Sequence, residues 1–243
     1  MGNEESGQKT NFWRGRSVFV LVFLFGFLLV TFASWQLLSG WWEDKAARSE
    51  YAALREDVVI SQLHAHQRMD MRHFIERNPD FVGWILIDGT PINYPVVQGT
   101  DNVKYLHTTF LGQSNPAGSI FMDYRAVQGF DTPLAIIYGH NMRDGSMFAP
   151  LHQFIDPEFS GDYPEITIIN TNGEVLTYQV FEVRGVGARD ALYGLDPTDE
   201  LVVAGFFANA PAEASRFLAL STCAPPPNHL SRRLLVFAAY VSE

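Results

Sequence analysis

The 243-residue sequence holds a single cysteine, Cys223. One cysteine excludes an intramolecular disulfide and any metal site built from several thiolates. There is no run of lysine or arginine, and the formal net charge is −10, so the chain lacks the electrostatic footprint of a nucleic-acid binder. An acidic balance by itself bears only on solubility. No internal repeat and no low-complexity tract occurs. Two local absences say more: residues 17–38 contain no charge, and residues 43–76 contain neither proline nor glycine.

The uncharged stretch, SVFVLVFLFGFLLVTFASWQLL, meets the roughly 20 residues that a helix needs to span a bilayer. Trp13, Trp35, Trp41 and Trp42 flank it as interfacial aromatics do, Lys9, Arg14 and Arg16 precede it, and Glu43 and Asp44 follow. The positive-inside rule then predicts a single-pass plasma-membrane protein, with residues 1–16 cytoplasmic, 17–38 in the membrane and the remainder outside. A cleaved signal peptide has a shorter apolar region, about 7–15 residues, followed by a small-residue cleavage site. This stretch is longer and runs into Gly40-Trp41-Trp42, which favours an uncleaved anchor. It is apolar on all sides, unlike a helix packed by one face on a core.

Residues 39–77 read as a helical stalk leading into one or two packed helices. Ala, Glu, Arg, Gln and Met dominate 43–76, with Leu54, Val58, Leu63 and Met69 at loosely helical spacing, and Asn78-Pro79-Asp80 ends the run. From Phe81 short runs of Val, Ile, Phe and Tyr alternate with turn residues. Strands are expected at 84–87, 94–97, 119–122, 134–138, 165–169, 175–183, 217–221 and 234–240. Asn172-Gly173 makes 165–183 a hairpin, and helical interruptions are expected at 146–154 and around 198–209. Eight short strands within residues 78–243 predict a mainly β domain, closed or nearly closed as a barrel, behind N-terminal helices and one transmembrane helix. With 47% apolar residues and 19 phenylalanines, the chain can fill such a core.

Cys223 follows Phe217-Leu218-Ala219-Leu220-Ser221-Thr222 and precedes Ala224-Pro225-Pro226-Pro227. An apolar strand thus delivers the thiol to a sheet edge, because three prolines cannot continue a ladder. A buried cysteine acting as a small hydrophobe is the plain alternative. A reactive thiol needs a base or cation beside it, since its ordinary pKa is about 8.5. Of seven histidines, His64, His66 and His73 fall in the helical region, His107 follows Tyr105-Leu106, His152 sits on an expected helix and His229 lies beyond the prolines. His140 is the one presented as Cys223 is, at the end of the apolar run 134–139 and before the turn Asn141-Met142-Arg143-Asp144-Gly145. Arg232 and Arg233 open the last apolar strand, and adjacent strand residues face opposite ways, so at most one of them points toward the thiol. A solvent-facing pair at a strand end is the plain alternative there.

These elements occur together in one known family. Leu220-Ser221-Thr222-Cys223, followed by an arginine opening a terminal apolar strand, resembles the signature of sortases, and Tyr138-Gly139-His140-Asn141-Met142 resembles their histidine motif. Asn78-Pro79-Asp80-Phe81-Val82-Gly83-Trp84, Ile92-Asn93-Tyr94-Pro95-Val96-Val97-Gln98-Gly99, Gly118-Ser119-Ile120-Phe121-Met122-Asp123-Tyr124-Arg125 and Asp144-Gly145-Ser146-Met147-Phe148 resemble class B sortases in particular. The resemblance covers most of the chain from Asn78 onward.

It implies a sortase-type eight-stranded β-barrel catalytic domain at 78–243 and a cysteine transpeptidase on a Gram-positive cell surface. Carried over by motif, Cys223 is the nucleophile, His140 the general acid and base, and Arg233, which directly precedes the apolar strand, the stabiliser of substrate and oxyanion. Asn93, Tyr138 and Ser221 are implied to line the peptide groove. The implied substrates are secreted proteins bearing a C-terminal sorting motif, Asn-Pro-rich and cut after Thr. The implied acceptor is an amine of a cell-wall precursor or of a pilin. Neither metal nor organic cofactor is required. The chain departs from the class pattern in its Cys-to-Arg loop, Ala224-Pro225-Pro226-Pro227-Asn228-His229-Leu230-Ser231, and in a short segment between Val183 and Phe217. Two rivals are a wall enzyme acylated by a peptidoglycan stem peptide and a tethered β-domain that only binds surface proteins.

Overall fold

The computed structural model describes residues 7–64, 70–127, 129–208, 210–224 and 231–241. A charge-free run followed by good helix formers gives helix α1, Gly7–His64. The chain divides into two units, Met1–Ala46 and Ala47–Glu243. In the first unit Phe19, Leu21, Phe23 and Phe25 are exposed. Among the described residues α1 is the one helix long and apolar enough to cross a membrane.

In the second unit the later part of α1 is amphipathic. Ala47, Tyr51, Leu54 and Val58, spaced four, three and four apart, are buried in the main core. Within the expected helical run 43–76 the described helices are α1 as far as His64 and α2, Arg72–Arg77, with Asp70 and Met71 outside any helix. His66 and Met69 lie outside the described residues.

The eight strands are β1 (Phe81–Leu86), β2 (Asn93–Val97), β3 (Ile120–Met122), β4 (Leu134–Tyr138), β5 (Glu165–Asn170), β6 (Val175–Gly187), β7 (Phe217–Cys223) and β8 (Arg232–Tyr240). They close into a barrel in the order β1-β2-β3-β4-β7-β8-β6-β5, with β5 pairing back to β1. Strands β7 and β8 begin or end two residues beyond the expected limits, because Thr222 and Cys223 still pair with Leu234 and Arg233. Strand β6 continues four residues past its expected end, alongside β8 as far as Arg232. The expected helix at 146–154 is a 3-10 turn, Ala149–Ile155, and the later one is α4, Glu200–Phe206. Helix α3, Pro157–Asp162, and a 3-10 turn, Ala191–Gly194, were not expected.

Two pairings set the site. Strands β4 and β7 are parallel, Tyr138 opposite Ser221, so both leave the barrel at the same end. Strands β7 and β8 are antiparallel, so β8 begins where β7 ends. The wall they form is buried on both faces. Ala135, Ile137, Leu218, Leu220, Leu234 and Val236 face the main core, while Leu134, Ile136, Phe217, Ala219, Leu235 and Phe237 pack with Val203 and Phe207 of α4. Burial on both sides is why these strands read as continuous apolar runs without alternation.

Candidate active site

Strand register assigns each side chain a face. Tyr138 and Ser221 are partners, Cys223 lies two residues beyond Ser221, and Arg233 is the partner of Cys223. All four therefore stand on one face of the wall, the face that also carries Leu235 and is covered by the segment between β6 and β7. Arg232 is on the opposite face and exposed.

Past Tyr138 the chain turns out of the sheet. The Gly139 N–H donates to the Ser221 carbonyl at 3.1 Å, and the Phe148 N–H donates back to the His140 carbonyl at 2.9 Å, closing a loop braced by an Asn141–Met147 bridge. Met147 takes a left-handed backbone, φ 56°, and its N–H donates to the Tyr94 hydroxyl at 3.1 Å. Asp144 of the same loop forms an ion pair with Arg48 of α1 at 2.6 Å.

The imidazole of His140 is held from behind. Its Nε2 lies 2.8 Å from the Leu106 carbonyl, and a carbonyl only accepts, so Nε2 carries the proton and Nδ1 is the nitrogen left for exchange. The His107 ring stacks on it at 5.9 Å. Nothing in the sequence pointed to the Leu106 carbonyl, while His107 was visible only as a nearby histidine.

A cavity of about 380 Å³ collects His140, Cys223, Arg233, Tyr138 and Ser221 with Tyr193. A thiol, an imidazole and a fixed guanidinium on one cavity wall form the set that acyl transfer needs. Asn93 is not on this wall. Its Oδ1 accepts the Trp84 indole N–H at 2.6 Å, an arrangement that anchors a buried tryptophan, so the cavity brings together the other expected site residues without Asn93. Pro225, Pro226, Pro227 and His229 lie outside the described residues. A cavity of about 480 Å³ between α4 and the starts of β4 and β7 contains none of the expected site residues.

The cavity wall is backed by a buried carboxylate. Asp123, fully buried, accepts from Arg125 Nε and Nη2 at 2.9 Å each, from the Tyr138 hydroxyl at 2.9 Å and from Asn102 Nδ2 at 3.0 Å. Burial pushes this carboxyl up, but the donors, Arg125 first, outweigh it and hold it below the ordinary carboxylate range. Burial and then the Asp123 charge push the Tyr138 phenol up, so it stays protonated and donates. Tyr193 stacks on Tyr138 at 6.2 Å and shares a 2.8 Å hydrogen bond with the Ser221 hydroxyl. The sequence reading missed Tyr193. Asp190, whose carboxylate caps the Leu192 N–H, was the local signal for the turn that carries it.

A family model described as the sortase domain matches residues 85–241, more than half of the chain. The chain belongs to the sortase family. This sortase is 36% identical over 157 residues to sortase B of Listeria monocytogenes, a match covering 62% of this chain and 64% of that protein's length. It is 28% identical to sortase B of Staphylococcus aureus over 236 residues, covering 91% and 93% of the two chains. Among solved structures, the Staphylococcus aureus sortase B–substrate complex matches with a TM-score of 0.71 at 28% identity, over 82% of this chain and 98% of that one. Clostridium perfringens sortase B matches with a TM-score of 0.63 at 28% identity, over 70% and 99%. The barrel, the helices before it and these relatives identify a class B member of a family of cysteine transpeptidases.

Proposed function

We propose that this sortase cleaves a sorting motif in secreted proteins through a Cys223 thioester and passes the acyl group to an amine. The observation that carries the reading is the convergence of three strand ends, which sets His140, Cys223 and Arg233 around one cavity.

The Cys223 thiolate attacks the scissile carbonyl, forming a C–S bond, and the oxyanion develops beside the Arg233 guanidinium. The C–N bond breaks as His140 Nδ1 gives its proton to the leaving amine, while Nε2 stays on the Leu106 carbonyl. An incoming amine then loses its proton to Nδ1, attacks the thioester carbon and releases the thiolate. Tyr138 and Ser221 line the peptide groove, with Tyr193 closing it from the β6–β7 segment. The substrate motif is Asn-Pro-rich and cut after Thr, and the acceptor is a cell-wall precursor or a pilin amine.

Residues 17–38 anchor the protein in the plasma membrane with residues 1–16 inside, residues 39–77 form the helical stalk and N-terminal helices, and 78–243 is the catalytic domain outside. The uncharged, exposed apolar stretch of α1 and the preceding cations support this. Such an anchor keeps enzyme, substrate and lipid-linked acceptor on one membrane face. The test incubates the enzyme with a panel of Asn-Pro-containing peptides and then with oligoglycine, diaminopimelate-type and lysine amines. Mass spectrometry should find one peptide–amine product that requires Cys223; products from stem peptides alone would overturn the substrate class.

A further inference from the structure

The backbone at Cys223 has a bonding problem that the sheet cannot solve. Ala224 donates its N–H to the Arg232 carbonyl, which makes the neighbouring pair, Cys223 and Arg233, a non-hydrogen-bonded pair whose peptide groups point away from β8. The Cys223 carbonyl therefore faces the β4 side. Strand β4 supplies its last donor one step earlier, from the Gly139 N–H to the Ser221 carbonyl, and then leaves through His140 into the 141–147 loop. Among the described residues no backbone hydrogen bond carries this ladder on to Cys223, and a carbonyl left unpaired beside the nucleophile would let that peptide rotate.

A side chain from a distant element fills the position. His152 sits on the 3-10 turn Ala149–Ile155, which is locked to the barrel by buried Leu151 and Phe154. Its Nε2 lies 3.0 Å from the Cys223 carbonyl oxygen. The carbonyl can only accept, so Nε2 carries a proton and donates. The imidazole is half-buried and is not part of the cavity wall, so it does not reach the reacting atoms.

We propose that His152 is a positioning residue for the nucleophile: it stands in for the missing β4 donor, fixes the Cys223 peptide plane, and so holds Sγ on the face shared with Arg233. The proposal rests on the reading of Cys223 as the nucleophile. It assigns His140 and His152 different tasks, proton exchange for His140 and main-chain anchoring for His152. What matters at 152 is a donor at the Nε2 position, not a titrating group.

Two substitutions separate these features. His152→Gln keeps an N–H donor near the Nε2 position, and His152→Met keeps bulk without the donor. Cys223 is the chain's sole cysteine, so iodoacetamide alkylation of the full-length protein reads that thiol alone. In His152→Met, alkylation and kcat should each fall about ten- to a hundredfold with KM little changed, as expected for a displaced reacting group. His152→Gln should recover both to within about threefold of wild type, the donor being restored. A His152→Met protein as fast as wild type, or a His152→Gln protein as slow as His152→Met, overturns the proposal. If His152→Met lowers Tm by more than about 4 °C, a change on the scale of a global stability loss, the Gln variant alone decides, by keeping or losing its rate. Cys223→Ala run beside them distinguishes the two readings: turnover surviving in it sinks the nucleophile, whereas its loss together with an unaffected His152→Met sinks only the role of His152.

Discussion

Cys223 and Arg233 are Cα partners across the β7–β8 ladder. Because the adjacent Ala224–Arg232 pair makes the hydrogen bond, the 223/233 pair is of the closer kind, with Cα atoms about 4.5 Å apart and side chains on one face. Arg232 is on the other face, so the two arginines are not equivalent. Arg233→Ala should lower kcat/KM about a hundredfold or more, the usual loss when an oxyanion donor is removed. Arg232→Ala should change it less than threefold, an effect of the size expected for a surface substitution. Steady-state kinetics on both variants checks this; the reverse order would mean that the charge at 232 faces the thiol.

The Leu106 carbonyl fixes which nitrogen of His140 exchanges its proton. Neutral His140 should be the Nε2–H tautomer by nitrogen NMR on ¹⁵N-histidine protein. His140→Ala should reduce kcat by about 10²–10⁴, as for other general acid–base residues, without a matching loss of stability. An Nδ1–H tautomer would mean that Nε2 does not donate to the Leu106 carbonyl and that Nδ1 is not free to take the proton of the thiol.

Gly118 lies under the same carbonyl. Its φ is 56°, and a Cβ there would stand 2.5 Å from the Tyr105 oxygen and 2.6 Å from the Leu106 oxygen. Both obstacles are backbone. Gly118→Ala should therefore cost about 1–3 kcal/mol in thermal or urea unfolding, the range for a strained residue, and should lower kcat by moving Leu106 away from His140. Unchanged stability would contradict the packing described.

Asp123 stabilises the fold as a carboxylate. Its folded pKa is depressed, so its contribution is complete above the unfolded value of about 3.8 and is lost as pH falls through the lower folded value. Asp123→Asn should destabilise the protein by about 2–3 kcal/mol near neutral pH, toward the low end for breaking a buried pair because Arg125 keeps some solvent contact. Melting curves of wild type and variant should converge only below pH 4, a range set by that unfolded value. A gap that closes at higher pH would mean that Asp123 is protonated more easily than its hydrogen-bond donors allow.

The parts legible in the sequence were those with a local signal. Continuous apolar runs marked β4, β7 and β8 because both faces of that wall are buried, and the same runs showed that His140 and Cys223 stand at strand ends. The adjacency of those ends was not legible, since the parallel pairing of 134–138 with 217–221 joins segments far apart in the chain. Hydrogen bonds from a side chain to a remote main-chain carbonyl, as at His140 with Leu106 and His152 with Cys223, leave no pattern in composition or spacing. Helix α3 did leave one, Asp156-Pro157-Glu158, with Asp156 capping the Glu158 N–H and proline at the first turn. Asn93 was assigned to the groove by motif, and its indole partner Trp84 could be identified only once β1 and β2 were paired.

The most direct measurement is the mass of the intact protein after brief incubation with a cleavable sorting peptide and no amine. Wild type should gain the mass of the N-terminal peptide fragment at Cys223, as a thioester that hydroxylamine removes, and Cys223→Ala should gain nothing while melting as wild type does. An acyl adduct on any other residue, or transpeptidation by Cys223→Ala, would contradict the account.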